Sequence, residues 1–142
     1  MTDTSADASL EGLSTRFEKT ISADDVMQFA SLSGDDHPIH TDEAFARSAG
    51  LAARIVQGSL MVGLMAGAST KFFRDLRRPA LSYGYDRIRF TGQVDLGQRL
   101  SVEYVITRHD LAERKTWADV RIVDDKDRLV AVAQHVSKLL SQ

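Results

Sequence analysis

The chain has 142 residues, a length that suits one domain with a buried core and is too short for two full domains. With 43% hydrophobic and 27% charged residues, the composition is that of an ordinary globular protein. A net charge of −2, with no basic face along the chain, gives no reason to expect nucleic acid as a partner.

The N-terminal segment, residues 1–12, is small and polar. It buries too little apolar surface to offset the entropy of ordering it, so we expect a disordered tail followed by a single domain over residues 13–142. The first residues lack the basic and apolar regions of a secretory signal, and no apolar run reaches the length of a membrane span. Together with the absence of cysteine, which suits a reducing compartment, these features predict a cytoplasmic protein without a membrane partner.

A short strand and a helix are predicted next. Residues 15–21 alternate weakly and indicate a short edge strand. Ser22 and Asp25 resemble a capping box, which begins a helix. That helix is expected to end at Gly34, because glycine commonly follows the last helical residue. Four apolar residues are predicted to share one face of it: Val26, Phe29, Ala30 and Leu32.

The loop after this helix is rich in acidic and imidazole side chains and reads Asp35-Asp36-His37-Pro38-Ile39-His40-Thr41-Asp42. Pro38 disfavours helical geometry at His37, so we expect extended backbone there. Thr41 is predicted to cap a short helix over residues 42–47, which Gly50 ends. On local pattern alone, Asp35 is more typical of an Asx-turn than of a catalytic carboxylate.

Residues 58–73 predict a helix that is apolar nearly all round and too short to cross a membrane, so we expect it to be buried in protein. Gly63 and Gly67 each weaken a helix by up to about 1 kcal/mol relative to alanine, which indicates close backbone approach at those turns. A basic cluster follows in Lys71, Arg74, Arg77 and Arg78.

Four segments with period-two alternation come after the basic cluster: 81–90, 100–109, 116–123 and 129–139. Their connectors are too short for parallel crossovers, so the sheet should be antiparallel. His109 and His135 lie on these strands and are predicted to be structural. The fold class is therefore α+β, with an antiparallel sheet wrapped around a long central helix in a hot-dog architecture.

Several short motifs occur in this frame: Phe29-Ala30-Ser31-Leu32-Ser33-Gly34-Asp35, Pro38-Ile39-His40-Thr41-Asp42, Phe45-Ala46, Ile55-Val56-Gln57-Gly58 and Arg89-Phe90. In them the chain, from about residue 17 to the last strand, resembles the MaoC-like hydratases, which include the (R)-specific enoyl-CoA hydratases. The resemblance implies a hot-dog fold that acts on acyl thioesters of coenzyme A, with coenzyme A as part of the substrate and no separate cofactor. It also implies a homodimer or a dimer of dimers.

The resemblance assigns roles by motif position. Asp35 and His40 match the aspartate and histidine that jointly hold the water added across a trans-2-enoyl thioester. Gly58 matches a glycine whose backbone N–H donates to the thioester oxygen. The expected substrate contacts are His37, Gln57, Ser59 and Arg89. His37 and Gln57 depart from the usual asparagine and histidine at their positions, and Gln93 replaces a common proline.

The chemistry explains why these residue types are needed. Hydration requires one group to take a proton from water, another to deliver a proton at C2, and a donor for an enolate-like oxygen. An aspartate and a histidine around one water can do both proton transfers, because imidazole exchanges protons near neutral pH. Gly58 has no side chain to block a thioester, and its amide lies at the positive end of the helix dipole.

The leading hypothesis is thus a hydro-lyase that reversibly hydrates a trans-2-enoyl-CoA to an (R)-3-hydroxyacyl-CoA. A hot-dog acyl-CoA thioesterase and a non-catalytic acyl-CoA binding subunit are the alternatives. A metal site formed by His37 and His40 with an aspartate is disfavoured, because no further ligand clusters with them. The basic cluster, with Arg87 or Arg89, is either solvated or in contact with coenzyme A phosphates.

Overall fold

One strand and four helices make up the first half of the chain, and the second half is sheet alone. The structure is a computed structural model that describes residues 8–141. The elements are β1 (Ser14–Thr20), α1 (Ala23–Ser33), α2 (Pro38–Thr41), α3 (Glu43–Ser48), α4 (Gly58–Asp75), β2 (Ala80–Phe90), β3 (Arg99–Asp110), β4 (Lys115–Val123) and β5 (Leu129–Leu139).

The strands form a single five-stranded sheet in the order β1-β3-β4-β5-β2, and every neighbouring pair is antiparallel. The predicted strands agree with the observed ones to within one residue at each end, and β1 lies at an edge as expected. At the predicted hairpin turn between β4 and β5, the carboxylate of Asp124 accepts hydrogen bonds from the N–H groups of Lys126 and Arg128. The predicted antiparallel sheet is confirmed.

Helix α4 packs its apolar side against the concave face of this sheet and contacts β1, β3 and β4. At Gly67 the ring of Phe17 comes so close that an added Cβ would lie 3.2 Å from it, as the predicted close approach requires. The core is formed by buried residues of both layers: Leu60, Met61, Met65, Ala68, Phe72, Val102, Tyr104, Ile106, Ala118, Val120 and Ile122. The predicted hot-dog architecture is confirmed.

The opposite face of α4 is not covered, which corrects the expectation of a helix buried all round. Ser59, Gly63, Ala66 and Thr70 are exposed. An added Cβ at Gly63 would meet nothing within 4 Å, so the close approach predicted at Gly63 is wrong. The sequence misleads here because small residues look apolar but do not need burial, and the sheet covers only one side of the helix. Within residues 8–141, no helix is both long and apolar enough to cross a membrane.

The N-terminal segment is partly ordered. Leu10 is buried, and its N–H donates to Nδ1 of His109 at 3.1 Å. The N–H of Gly12 donates to the carbonyl of Ile106 at 2.8 Å. The predicted disordered tail over residues 1–12 is therefore wrong for Leu10 to Gly12, because β3 supplies partners for their backbone. Residues 1–7 lie outside the described residues, and the limits of the single domain at 13–142 stay a prediction.

Candidate active site

The end of α1 fixes where the acidic loop begins. Its start is the predicted capping box, in which Ser22 and Asp25 bond each other's backbone N–H groups at 2.9 and 3.1 Å. Its end is Gly34, whose φ of 83° is left-handed and whose N–H donates to Ala30. Both predicted ends are confirmed. Leu32, however, is 88% exposed, because two residues after Ala30 a side chain has turned about 200° around the helix.

A short helix, rather than a continuous loop, carries the predicted catalytic histidine. His37 is extended as expected, with ψ of 134°, and Pro38 occupies the first position of α2. His40 follows within this single turn and is buried. The predicted cap on the next helix is wrong in its residue: Asp42, not Thr41, accepts the N–H of Phe45 and begins α3.

The two predicted catalytic side chains face each other. Nε2 of His40 lies 3.9 Å from Oδ1 of Asp35, whose side chain is 41% exposed while that of His40 is 9% exposed. Nδ1 of His40 lies 2.8 Å from the carbonyl oxygen of Ile55. Because a carbonyl can only accept, Nδ1 carries a proton and Nε2 is the nitrogen turned toward the carboxylate. The gap is too long for a direct hydrogen bond and suits one bridging water, about 2.8 Å from each atom.

A cavity of about 350 Å³ opens beside this pair and is lined by His40, Gly58, Met61, Phe90 and Val94 among others. Gly58 is the first residue of α4, as predicted, and in the described part of the chain its N–H donates to no protein acceptor. A Cβ at residue 58 would lie 2.5 Å from Cε2 of Phe90. Any side chain at position 58 would therefore force the Phe90 ring to shift. The amide of Gly58 can meet a ligand at the positive end of the helix.

Gln57 supports the site from beneath. Its side chain is fully buried, and Nε2 donates to the carbonyls of Val26 at 3.0 Å and Asp35 at 3.4 Å. The side-chain oxygen is buried without a partner. Gln57 thus ties the loop that carries Asp35 to helix α1, and protein encloses it on all sides. This position corrects the expected direct contact between Gln57 and substrate.

The other three predicted substrate contacts do not lie together in the structure. His37 is exposed beside the pair, with its ring centroid 6.3 Å from that of His40, and Ser59 is exposed on the first turn of α4. Arg89 lies elsewhere: it donates to the carbonyl of Ile88 and lines a different cavity on the outer face of the sheet, with Arg87 and Arg121. The structure does not bring Arg89 to the pair, because successive residues of a strand face opposite sides.

The basic cluster at the end of α4 is partly engaged with protein. Nζ of Lys71 lies 2.9 Å from the Asp75 carboxylate and 3.1 Å from the Thr15 hydroxyl. A phosphate contact by the remaining arginines stays a prediction. Across residues 8–141, no three histidine or acidic side chains converge in a way that could hold a metal ion.

Sequence reasoning missed two features of this region. The Ile55 carbonyl, which sets the proton position on His40, left no sequence signal because every residue has a carbonyl. The second is a hydroxyl cluster around His135, which was predicted only as structural. Strand alternation places His135 on the same face as the buried Ala131 and Ala133, so its burial was there to be found.

Known proteins are similar to this chain in sequence and in architecture. A protein named (R)-specific enoyl-CoA hydratase from Aeromonas caviae is 38% identical over 130 residues, which cover 90% of this chain and 93% of the relative. One of the same name from Rhodospirillum rubrum is 31% identical over 97 residues, 68% of this chain. The match spans about two thirds of that relative's own length, 65%.

The solved structures agree. The (R)-hydratase from A. caviae involved in PHA biosynthesis superposes with a TM-score of 0.83 and 27% identity, covering 92% of this chain and 96% of that one. The sequence model described as the MaoC like domain matches residues 6–128. That range includes the Asp35 and His40 loop, Gly58 and four of the five strands. The chain belongs to the MaoC-like domain family.

Proposed function

We propose that this protein is a hydro-lyase that reversibly adds water to a trans-2-enoyl-CoA and forms an (R)-3-hydroxyacyl-CoA. The observation that carries the proposal is the 3.9 Å gap between Nε2 of His40 and Oδ1 of Asp35, beside the free N–H of Gly58. The names of the Aeromonas caviae and Rhodospirillum rubrum relatives support it.

The pair is suited to orient a water molecule. With its proton on Nδ1, a neutral His40 presents a lone pair at Nε2, and an ionised Asp35 presents only acceptors. Both hydrogens of a bridging water are then directed at the pair, which leaves an oxygen lone pair free to attack C3. As the oxygen bonds C3, one member of the pair takes a proton, and the pair returns a proton at C2. The net change is one water added across the double bond.

The thioester oxygen gains negative charge while C3 is attacked, and it needs a donor. The N–H of Gly58 lies at the start of an 18-residue helix, where the backbone dipole favours negative charge. Gln57 donates to the backbone carbonyl of Asp35, and the Ile55 carbonyl accepts from His40, so protein contacts arrange the pair before substrate arrives. Such preorganised donors supply much of the rate gain in comparable reactions.

The test is direct. Purified protein is mixed with crotonyl-CoA and with longer trans-2-enoyl-CoAs, and the loss of enone absorbance is followed, with chiral analysis of the product. We expect an (R)-3-hydroxyacyl-CoA and no free thiol. Release of coenzyme A thiol would instead indicate the thioesterase. Thermal stabilisation by acyl-CoA without turnover of any thioester would indicate a binding subunit.

The assembly is part of the same proposal: we infer a homodimer, alone or paired into a dimer of dimers. Strand β2 is an edge strand of 11 residues with one side unpaired, and it exposes Leu81 at 51%. Long edge strands with exposed apolar side chains are usually covered. Light scattering should give at least twice the 15.7 kDa of the chain, and a monomer at all concentrations would exclude this assembly.

The proposed compartment is the cytoplasm. The absence of cysteine suits a reducing environment, and acyl-CoA substrates would have to be present where the enzyme is. Fractionation of the source cells with an antibody to this chain tests this, and recovery outside the cytoplasm would refute it.

A further inference from the structure

Helix α2 carries His40 on a single turn, so the hydrogen bonds of its first N–H groups determine how firmly that turn is held. Pro38, at the first position, has no N–H. The N–H of His40 donates to the carbonyl of His37 at 2.9 Å. The N–H of Ile39 donates to Nδ1 of the His37 side chain at 3.3 Å, and among the residues that the structure describes it has no other acceptor. The imidazole of His37 is therefore the N-cap of α2.

This cap requires one protonation state of His37. A ring nitrogen that accepts a hydrogen bond carries no proton, so the neutral ring of His37 has its proton on Nε2. His40 is the reverse, because its Nδ1 lies 2.8 Å from the carbonyl oxygen of Ile55 and carries the proton. When His37 takes up a second proton, its Nδ1 becomes a donor, and the Ile39 N–H loses its acceptor.

The ring of His37 is held by its neighbours and is still open to solvent. Its centroid lies 6.0 Å from that of Phe45 on α3 and 6.3 Å from that of His40 on α2, with an edge of one ring toward the face of the other in both pairs. The residue is exposed, so protons reach the ring without any unfolding. His37 can therefore gain and lose its capping function within the folded protein.

Charged groups next to His37 do not supply a substitute for this hydrogen bond. The two carboxylates at the start of α3 are engaged, one as the cap of that helix and one with Arg54 at 3.2 Å. Asp35 and Asp36 precede the ring in the loop, and in the described structure neither accepts the Ile39 N–H. The titratable or charged side chains on these neighbouring elements are Asp35, Asp36, His40, Asp42, Glu43 and Arg47.

Two other hydrogen bonds keep α2 in place when the cap is lost. The N–H of Ile55 donates to the carbonyl of Ile39 at 3.2 Å, and the N–H of Asp42 donates to the carbonyl of Pro38 at 2.9 Å. Loss of the cap therefore loosens the turn without unfolding it. His40 lies in this turn, so the 3.9 Å gap between its Nε2 and the catalytic carboxylate depends on how firmly the turn is held.

We infer that His37 is a positioning residue that acts on His40 through the Ile39 N–H. The neutral ring caps α2 and fixes His40, and the protonated ring releases the turn. Hydration should then decline on acidification by an amount that a cap without a titrating group would not show. The inference rests on the proposed function, because it takes His40 as part of the pair that holds the water.

The kinetic experiment compares the wild type with His37→Asn, since asparagine offers a side-chain oxygen as the cap but does not titrate. Crotonyl-CoA hydration is measured from pH 8 to 5, the range in which histidine side chains commonly change charge. The ratio of kcat, wild type over His37→Asn, should fall about fivefold on acidification, the equilibrium factor of one lost cap, while the ratio of KM stays constant. Taking the ratio removes the titration of Asp35 and His40, which both proteins share.

A second variant, His37→Ala, has no acceptor at any pH and should show the reduced kcat already at pH 8. A kcat ratio that is constant from pH 8 to 5 would overturn the inference. A ratio that rises on acidification would do so too, because it would show a charge on His37 acting through space on His40. A change confined to KM would indicate a direct substrate contact by His37 instead.

Nuclear magnetic resonance tests the cap without any turnover. Long-range proton–nitrogen spectra at pH 8 should show the neutral ring of His37 protonated on Nε2 and that of His40 protonated on Nδ1. The amide proton of Ile39 should shift on acidification in the wild type and much less in His37→Asn. If no enoyl-CoA is hydrated, the proposed function fails, while these spectra still test the cap. A proton on Nδ1 of neutral His37 would refute it.

Discussion

His40 lies beside the start of α4, and His135 lies near its second half through Tyr104, which contacts Phe72. The same residue type is used in opposite ways at these two ends of the helix. His40 has one nitrogen bonded to the Ile55 carbonyl and the other 3.9 Å from an accessible carboxylate. His135 has a hydroxyl within 2.8 Å of each nitrogen. Burial alone does not separate them, since both are buried. What separates them is unused hydrogen-bonding capacity. His40 retains a ring nitrogen for a reacting water, whereas both ring nitrogens of His135 are bonded to hydroxyl groups.

The charge state of His135 fits its structural role. Burial lowers the pKa of His135 to about 4, so this imidazole stays neutral when the solution is neutral. It can hold hydroxyl groups in place, but it is a poor carrier of protons. His40 instead faces a carboxylate across a space that admits water. The comparison therefore predicts that substituting the two histidines will act on different quantities, the rate for His40 and the stability for His135.

The largest effect is expected at the His40 end. Asp35→Asn or His40→Gln should lower kcat for crotonyl-CoA hydration by about 10²- to 10⁴-fold, because each removes a proton acceptor from the bridging water. Steady-state kinetics, with circular dichroism to check folding, measures this.

The matched control for this prediction is Asp36→Asn, which removes an exposed carboxylate one residue away. It should retain the wild-type rate. A folded Asp35→Asn variant with full activity would contradict the assigned role, as would an Asp36→Asn variant that loses as much as Asp35→Asn.

The next effect is on stability at the His135 end. The folded-state pKa of His135 is about 4 and the ordinary value is 6.5, so below pH 6.5 the unfolded chain binds a proton that the folded chain does not. The free energy of unfolding should therefore fall as the pH is lowered from 6.5 to 4, by roughly 3 kcal/mol for this group. Urea unfolding at several pH values measures it. Burial also lowers the pKa of His109, which adds in the same direction.

A His135→Gln variant isolates this contribution, since glutamine can bond the same hydroxyls but does not titrate. Its unfolding free energy should change less than that of the wild type between pH 6.5 and 4. Equal slopes in the two proteins would show that His135 is not the group responsible. The lowered pKa of Asp124 acts only at lower pH, because its ordinary value is 3.8.

A smaller effect is expected at Gln57, which is fully buried beneath the Asp35 and His40 pair. Gln57→Leu removes the donor to the carbonyls of Val26 and Asp35 and should lower the free energy of unfolding by about 1 to 2 kcal/mol. Because the Asp35 loop is loosened, kcat should fall about tenfold with KM nearly unchanged. Kinetics and urea unfolding are measured on the same preparation. Gln57→His, which keeps a donor, should recover part of both, and a rise in KM alone would indicate a substrate contact instead.

The surroundings of the two histidines were not equally visible in the sequence. Alternation on the strands and the capping signals at Ser22 and Gly34 predicted the sheet and α1 well, because these features depend on local residue types. The positions of Asp35, His40 and Gly58 were assigned from the motif resemblance. The structure places His40 and Gly58 on one cavity and Asp35 3.9 Å from His40.

What the sequence left out depends on contacts between distant parts of the chain. The Ile55 carbonyl beside His40, the enclosure of Gln57, and the hydroxyls around His135 each join residues from different elements. Arg89 was misplaced relative to the pair because its neighbour Phe90 lines that cavity, and successive side chains of a strand point to opposite faces of the sheet. Such contacts have no local pattern from which to infer them.

The smallest expected effect lies midway between the two ends, on α4 itself. Gly63→Ala should raise the free energy of unfolding by up to about 1 kcal/mol, because alanine favours the helix and an added Cβ meets nothing within 4 Å. Gly67→Ala is the matched comparison and should gain less or lose stability, since its Cβ would lie 3.2 Å from the Phe17 ring. Urea unfolding at several protein concentrations separates folding from assembly. A Gly63→Ala variant whose stability falls, and falls more on dilution, would show that a second subunit covers this face of α4.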